Sequence, residues 1–240
     1  MNSQLPLDKT ARWAGDDTRD ASLRWAGLWA PLFAVAVALL WAECLPRALV
    51  MDLIHENGPV ESLTTLLYLC AAVALWCVAR PQQGGATRLG LTVMLLAFAA
   101  REQDLHKAFT DTSVLKVSFY LNDHPLHQKL VALPILLVIA GTALWLLARH
   151  ARPMWQGLRR ARPLAITVAI FFVTLVATKV IDRSFAILAE DFGVHMSDQL
   201  DTILSALEEV VECSLPLIAV AGLLQHQRER KAAEAEHPAP

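Results

Sequence analysis

Ionisable side chains interrupt the apolar segments of this sequence at regular spacings. Glu102 and His106 stand four residues apart, as do Glu208 and Glu212, and a helix places residues at this spacing on one side. Glutamate and histidine together are ligands that suit zinc, iron or manganese. The sequence therefore predicts a divalent metal site in which these four side chains are the ligands.

Further ionisable residues could carry chemistry beside such a metal. A catalytic metal keeps an open position for water or substrate and activates the bound water. Glu209 or Asp182 would be the general base. Lys179 or Arg101 would hold an anionic oxygen, such as that of a lipid phosphate. The hypothesis is a metal-dependent enzyme.

Acidic residues outnumber basic ones in the apolar segments. The bases are Arg101, Lys179 and Arg183. The acids are Glu43, Glu61, Glu102, Asp182, Glu208, Glu209 and Glu212. Unpaired carboxylates are costly to bury, so they would hold a proton or bind a cation. This imbalance favours a functional site over a closed network of ion pairs.

Helix geometry predicts that these groups lie at similar depths in a membrane. At about 1.5 Å per residue, Glu102 and Glu212 lie roughly 21 Å from the cytoplasmic ends of their segments, and Lys179 lies roughly 25 Å from its end. The hydrocarbon core is about 30 Å thick. We therefore expect the site in the outer third of the bilayer, open to a lipid or lipid-linked substrate.

The elements that must position these residues are six apolar segments, each close to the roughly 20 residues that a membrane-spanning helix needs. They cover residues 28–49, 60–79, 89–109, 130–148, 164–182 and 202–225. The sequence thus predicts an all-α, polytopic integral membrane bundle over residues 28–225. Tails at 1–27 and 226–240 flank this bundle.

Lysine and arginine in the connections predict the orientation. They are concentrated in both tails, between the second and third segments, and between the fourth and fifth. The other three connections carry aspartate, glutamate and histidine instead. Both termini are therefore expected in the cytoplasm. A chain rich in Ala, Leu and Arg, without an organellar targeting segment, favours a bacterial inner membrane.

The composition argues against other classes of site. The chain is 55% hydrophobic and 18% charged with a net charge of −2, and it has no basic stripe with interleaved aromatics. We therefore exclude a nucleic-acid-binding protein. The four cysteines lie in apolar segments without a CxxC pair, which favours neither a disulfide framework nor a thiolate metal site.

Two other functional classes remain open. A proton- or cation-coupled transporter or sensor would also use carboxylates and a lysine within the membrane. A non-catalytic membrane partner protein would use the same residues for packing alone. The chain lacks internal symmetry, and its cytoplasmic halves lack polar residues, which favours a one-sided site.

Two prolines predict local structure near the site. Pro216 cannot accommodate the carbonyl of Glu212 within a continuous helix, so we expect a kink there. Pro59 suits the first position of a helix and would place Glu61 in its first turn. The helix dipole favours a carboxylate at that place, so Glu61 has a structural role as an alternative to a functional one.

Overall fold

The computed structural model describes residues 25–78, 84–105, 119, 125–193 and 197–236, and these ranges contain helices and no strand. The predicted all-α class is confirmed. In chain order the helices are α1 (Ala26–Cys44), α2 (Arg47–Ile54), α3 (Pro59–Val78), α4 (Gly85–Glu102), α5 (Leu126–Arg159), α6 (Pro163–Phe192), α7 (Asp198–Glu212) and α8 (Leu215–Glu236).

Four stretches within the described ranges are long and apolar enough to cross a membrane. They are Ala26–Cys44, Arg47–Val78, Leu126–Arg159 and Pro163–Ser184. Such lengths match the thickness of a bilayer core, and the large apolar residues exposed along α5 suit contact with lipid. The chain therefore has the character of a membrane-embedded helical protein.

The first predicted segment, 28–49, is divided into two helices. α1 ends at Cys44, and Leu45 is extended with a ψ of 150°. Proline disfavours a helical conformation in the residue before it, so Pro46 separates α1 from α2.

α4 ends earlier than the sequence indicated. The Leu105 N–H donates to the Ala100 carbonyl and the Asp104 N–H to the Arg101 carbonyl, while Asp104 has a φ of 48°. These two bonds and a left-handed residue form a Schellman motif, which closes a helix. The helix thus stops at Glu102, and His106, which was predicted on the same helical face, lies outside the described residues.

α5 is longer than the predicted segment 130–148 and continues to Arg159. A second Schellman motif closes it: the Arg162 N–H donates to the Gly157 carbonyl, and Ala161 has a φ of 51°. α6 then begins at Pro163, where the fixed φ of proline suits the first turn of a helix. A tight turn therefore joins α5 and α6.

Two buried clusters hold the other helices together. One consists of residues from α1, α2, α3 and α7, including Ala38, Val50 and Ala206. The second joins α3, α4 and α8 through Tyr68, Ala99 and Ile218. In the first cluster Ala34 and Ala38 of α1 meet Ala206 of α7, and such small residues allow two helices to approach closely, as is common in membranes.

The last predicted segment, 202–225, is interrupted as Pro216 indicated. α7 ends at Glu212, a turn covers Cys213 and Ser214, and α8 starts at Leu215. Pro216 has no N–H to donate to the Glu212 carbonyl. The predicted kink is confirmed, and it lies directly beside the Glu212 carboxylate.

Candidate functional site

Five ionisable side chains form a connected series of ion pairs between α4, α6 and α7. We call this series the polar chain, and its order is Glu102, Arg101, Glu212, Lys179, Glu208. The end of α4 positions its first two members, α6 positions Lys179, and the last turns of α7 position the other two. The sequence predicted all five as site residues.

Glu212 is the centre of the polar chain. Lys179 Nζ lies 2.6 Å from its Oε1, and Arg101 Nη2 lies 3.4 Å from its Oε2. The Glu212 side chain is 5% exposed, whereas Lys179 and Arg101 are 35% and 30% exposed. Burying a charge is costly unless it is paired, and the two cations flank the Glu212 carboxylate from both sides.

The two ends of the polar chain differ in burial. Glu102 is 6% exposed, with its Oε1 at 3.8 Å from Arg101 Nη1. Glu208 is 21% exposed, with its Oε1 at 3.6 Å from Lys179 Nζ. The polar chain thus runs from a buried carboxylate at the end of α4 to a more accessible one on α7.

The polar chain contains more acidic than basic side chains. Three carboxylates face two cations, which leaves one negative charge if all five groups are ionised. Glu209 is also half-buried and takes part in none of the ion pairs between described residues. An excess of carboxylates in a low-dielectric setting favours binding a proton or a cation.

The predicted metal ligands are only partly brought together. Glu208 and Glu212 share Lys179, while Glu102 reaches Glu212 through Arg101. No group of three or more His, Cys, Asp or Glu side chains within the described ranges is placed to hold a metal ion. Both Glu212 oxygens instead face cations. His106 lies outside the described residues, so the four-ligand set stays a prediction.

Three other acidic residues lie outside the polar chain. Asp182, a predicted general base, is exposed on α6. Glu61 lies in the first turn of α3, where its carboxylate accepts a hydrogen bond from the Asn57 N–H, so its predicted position in that turn is confirmed. Glu43 is exposed near the end of α1. Arg47, four residues on, pairs instead with aspartates at the start of α7.

Three aromatic side chains pack together next to the polar chain and form an aromatic layer. Tyr68 stacks on Phe98 at a centroid distance of 5.5 Å, and Phe98 meets the edge of Phe171 at 6.0 Å. Phe98 lies one helical turn before Glu102. An apolar contact between α3, α4 and α6 therefore lies one turn of α4 away from the Glu102 end of the polar chain.

Tyr68 is a site residue that the sequence analysis missed. Its side chain is fully buried, its hydroxyl has no hydrogen-bond partner among the described residues, and it lies near Glu102 and Glu212. Tyr68 follows Glu61 by seven residues. That spacing places both on one side of α3, which is the signal that could have identified it.

A groove lies along α6 at the accessible end of the polar chain. Its volume is about 390 Å³. The described residues that line it are Leu175, Val176, Lys179, Val180, Arg183, Ser184 and Ile187. Lys179 therefore belongs both to the polar chain and to the groove.

Comparisons with protein-family models, with curated proteins and with solved structures find no match to this chain. Any assignment of function therefore depends on the site itself.

Proposed function

We propose that this chain is a multi-pass membrane enzyme that acts on a lipid or lipid-linked substrate through the carboxylates of the polar chain. The observation that carries the proposal is the double role of Lys179. Its ammonium contacts Glu208 and Glu212, and its side chain also lines the shallow, largely apolar groove along α6. A lipid in that groove would place its polar end beside Glu208.

In this proposal Glu208 transfers a proton to or from the substrate as the general acid or base. Its accessibility and its place at the end of the polar chain support that role. Positioned acid–base groups of this kind accelerate reactions by about 10²- to 10⁴-fold. Lys179 and Glu212 would hold Glu208 in position, and Glu209 supplies a second carboxylate one residue away.

The aromatic layer favours an enzyme over a transporter. A transporter site must be reachable from each side of the membrane in turn, whereas in this proposal the packed rings of Tyr68, Phe98 and Phe171 limit passage beyond the polar chain. A site with one open side suits a reaction on a molecule that enters from the bilayer.

The orientation and location are part of the proposal. We propose that α4 and the α7–α8 pair complete six spans together with the four apolar stretches. Both termini would lie in the cytoplasm of a bacterium, and the protein would reside in the inner membrane. The concentration of Lys and Arg in the tails and in two alternate connections supports this orientation. The polar chain would then open toward the outer leaflet.

Lipid composition in producing cells tests the enzymatic role. Cells would make the wild type or the Glu208→Gln variant at matched levels, and their lipids would be compared by mass spectrometry. We expect at least one lipid species to change with the wild type and not with the variant. Glu43→Gln serves as the matched control, because Glu43 is exposed and outside the polar chain, and it should behave like the wild type.

Identical lipid profiles for folded wild type and Glu208→Gln would contradict the enzymatic proposal. The predicted metal set is tested separately, by elemental analysis of the purified protein. A stoichiometric metal that is lost in His106→Ala and Glu102→Ala would support it. Metal-free protein that still modifies lipid would refute a metal requirement and leave the carboxylate mechanism in place.

A further inference from the structure

We propose that the groove on α6 binds an anionic phospholipid, with Arg183 and Lys179 holding its phosphate. Arg183 stands four residues after Lys179 on α6, so both cations lie on one side of the helix. Both line the same groove. This inference rests on the proposed function, since it names the chemical class of lipid that the site would receive.

Arg183 has its charge available for a ligand. Its side chain is exposed, and none of the ion pairs between described residues includes it. Arg101, which the sequence had offered as a phosphate-binding group, is held between Glu102 and Glu212. A guanidinium presents several N–H donors in a plane that suits phosphate oxygens.

Lys179 can add one further donor. An ammonium has three N–H groups, and two of them can point at Glu208 and Glu212. The third is directed by neither carboxylate, and about a third of the side chain is exposed. A phosphate bound to Arg183 would therefore also contact the ammonium of Lys179. This contact would place the lipid headgroup beside Glu208.

The depth of Arg183 matches that of lipid phosphates. It lies 20 residues after Pro163, the first residue of α6, which corresponds to about 30 Å of helix. The hydrocarbon core is also about 30 Å thick, so Arg183 reaches the headgroup region when Pro163 lies at the opposite interface. The remaining lining of the groove is mainly apolar, from Leu175 to Ile187, and would cover an acyl chain.

Charge complementarity selects an anionic phospholipid over a zwitterionic one. Lys179 already pairs with Glu208 and Glu212, so Arg183, which takes part in no ion pair between described residues, is the cation that favours a headgroup without a cation of its own. The test uses native mass spectrometry of the full-length protein in detergent, titrated with phosphatidylglycerol or with phosphatidylcholine. With Arg183 as the main contact and Lys179 as a partial one, we expect phosphatidylglycerol to bind about tenfold more tightly than phosphatidylcholine.

Arg183→Gln should reduce that preference to about twofold. The matched control is Arg160→Gln, because Arg160 is an exposed arginine after the end of α5 and outside the groove; it should keep the tenfold preference. Val180→Trp fills the groove without changing its charge and should weaken binding of both lipids. An unchanged preference in Arg183→Gln, or an equal loss in Arg160→Gln, would overturn the site.

The outcomes separate this inference from the proposed function. If the preference is lost with Arg183→Gln but lipid turnover does not depend on Glu208, the phosphate site stands and the enzymatic role fails. If turnover depends on Glu208 while Arg183→Gln binds both lipids like the wild type, the enzymatic role stands and the phosphate site fails.

Discussion

At the residue scale, Glu212 explains why several charges can be buried together. One of its oxygens faces Lys179 and the other faces Arg101, and each cation also contacts another carboxylate. Removing one partner of a buried ion pair leaves an uncompensated charge, which costs much more than the pair contributes. The polar chain should therefore respond to mutation as a unit.

A double-mutant cycle measures this coupling. We expect Lys179→Met and Glu212→Gln to show a coupling energy of about 1–2 kcal/mol, because the two groups are 2.6 Å apart. The measurement is the free energy of unfolding in mixed detergent micelles. Lys179→Met combined with Glu43→Gln should be additive within about 0.5 kcal/mol. Additivity within the same limit for the first pair would contradict the ion-pair assignment.

Tyr68 gives a second test at this scale. Its buried hydroxyl has no partner among the described residues, and a buried unsatisfied polar group costs about 1–3 kcal/mol. Tyr68→Phe should therefore leave thermal stability in detergent unchanged or raise it, since the ring still stacks on Phe98. A clear loss of melting temperature would indicate that the hydroxyl makes a stabilising bond.

At the scale of helices, the sequence predicted that the helices exist more reliably than it predicted the residues at which they begin and end. Pro59 and Pro216 indicated the start of α3 and the interruption before α8, because proline acts through its own missing N–H. The end of α4 was missed, because Asp104 takes a left-handed conformation that glycine usually adopts. This residue type gave no clear stop signal, so the predicted third segment ran past the observed end of α4 at Glu102.

The turn after α5 can be tested through Ala161. A left-handed conformation is strained for alanine and not for glycine, and Ala161 is exposed with a φ of 51°. Ala161→Gly should therefore stabilise the protein by about 0.5–1 kcal/mol. Ala151→Gly is the control, because Ala151 is exposed within the helix α5. Glycine at that position should lower the stability of the protein by a similar amount. Equal effects of the two changes on the free energy of unfolding would contradict the left-handed conformation of Ala161.

The contact between α1 and α6 can be tested at Gly27. A Cβ there would lie 2.7 Å from Thr167 Cγ2, so Gly27→Ala should cost about 1–3 kcal/mol through overpacking. Gly141→Ala is the matched control, because nothing lies within 4 Å of a Cβ at that position. Comparison of melting temperatures checks this, and an unaffected Gly27→Ala would show that the two helices are not in close contact.

At the scale of the whole molecule, composition and segment length predicted a helical membrane protein, because apolar blocks of spanning length have few alternative structures. The types of site residue were also predicted, since ionisable groups within apolar segments are rarely without a role. The ion-pair partners of these residues were not predicted. Lys179 was predicted to hold an anionic oxygen of a substrate, and only tertiary packing shows that it contacts Glu208 and Glu212.

Turnover by purified protein tests the enzymatic role of the polar chain most directly. Wild type and Glu208→Gln, both shown to be folded by thermal melting, would be reconstituted in liposomes made from a bacterial total lipid extract. Mass spectrometry would follow the lipids with time. We expect the wild type to form a new lipid product and Glu208→Gln to form it about 100-fold more slowly or worse. Equal rates for the two proteins, or no product from folded wild type, would contradict it.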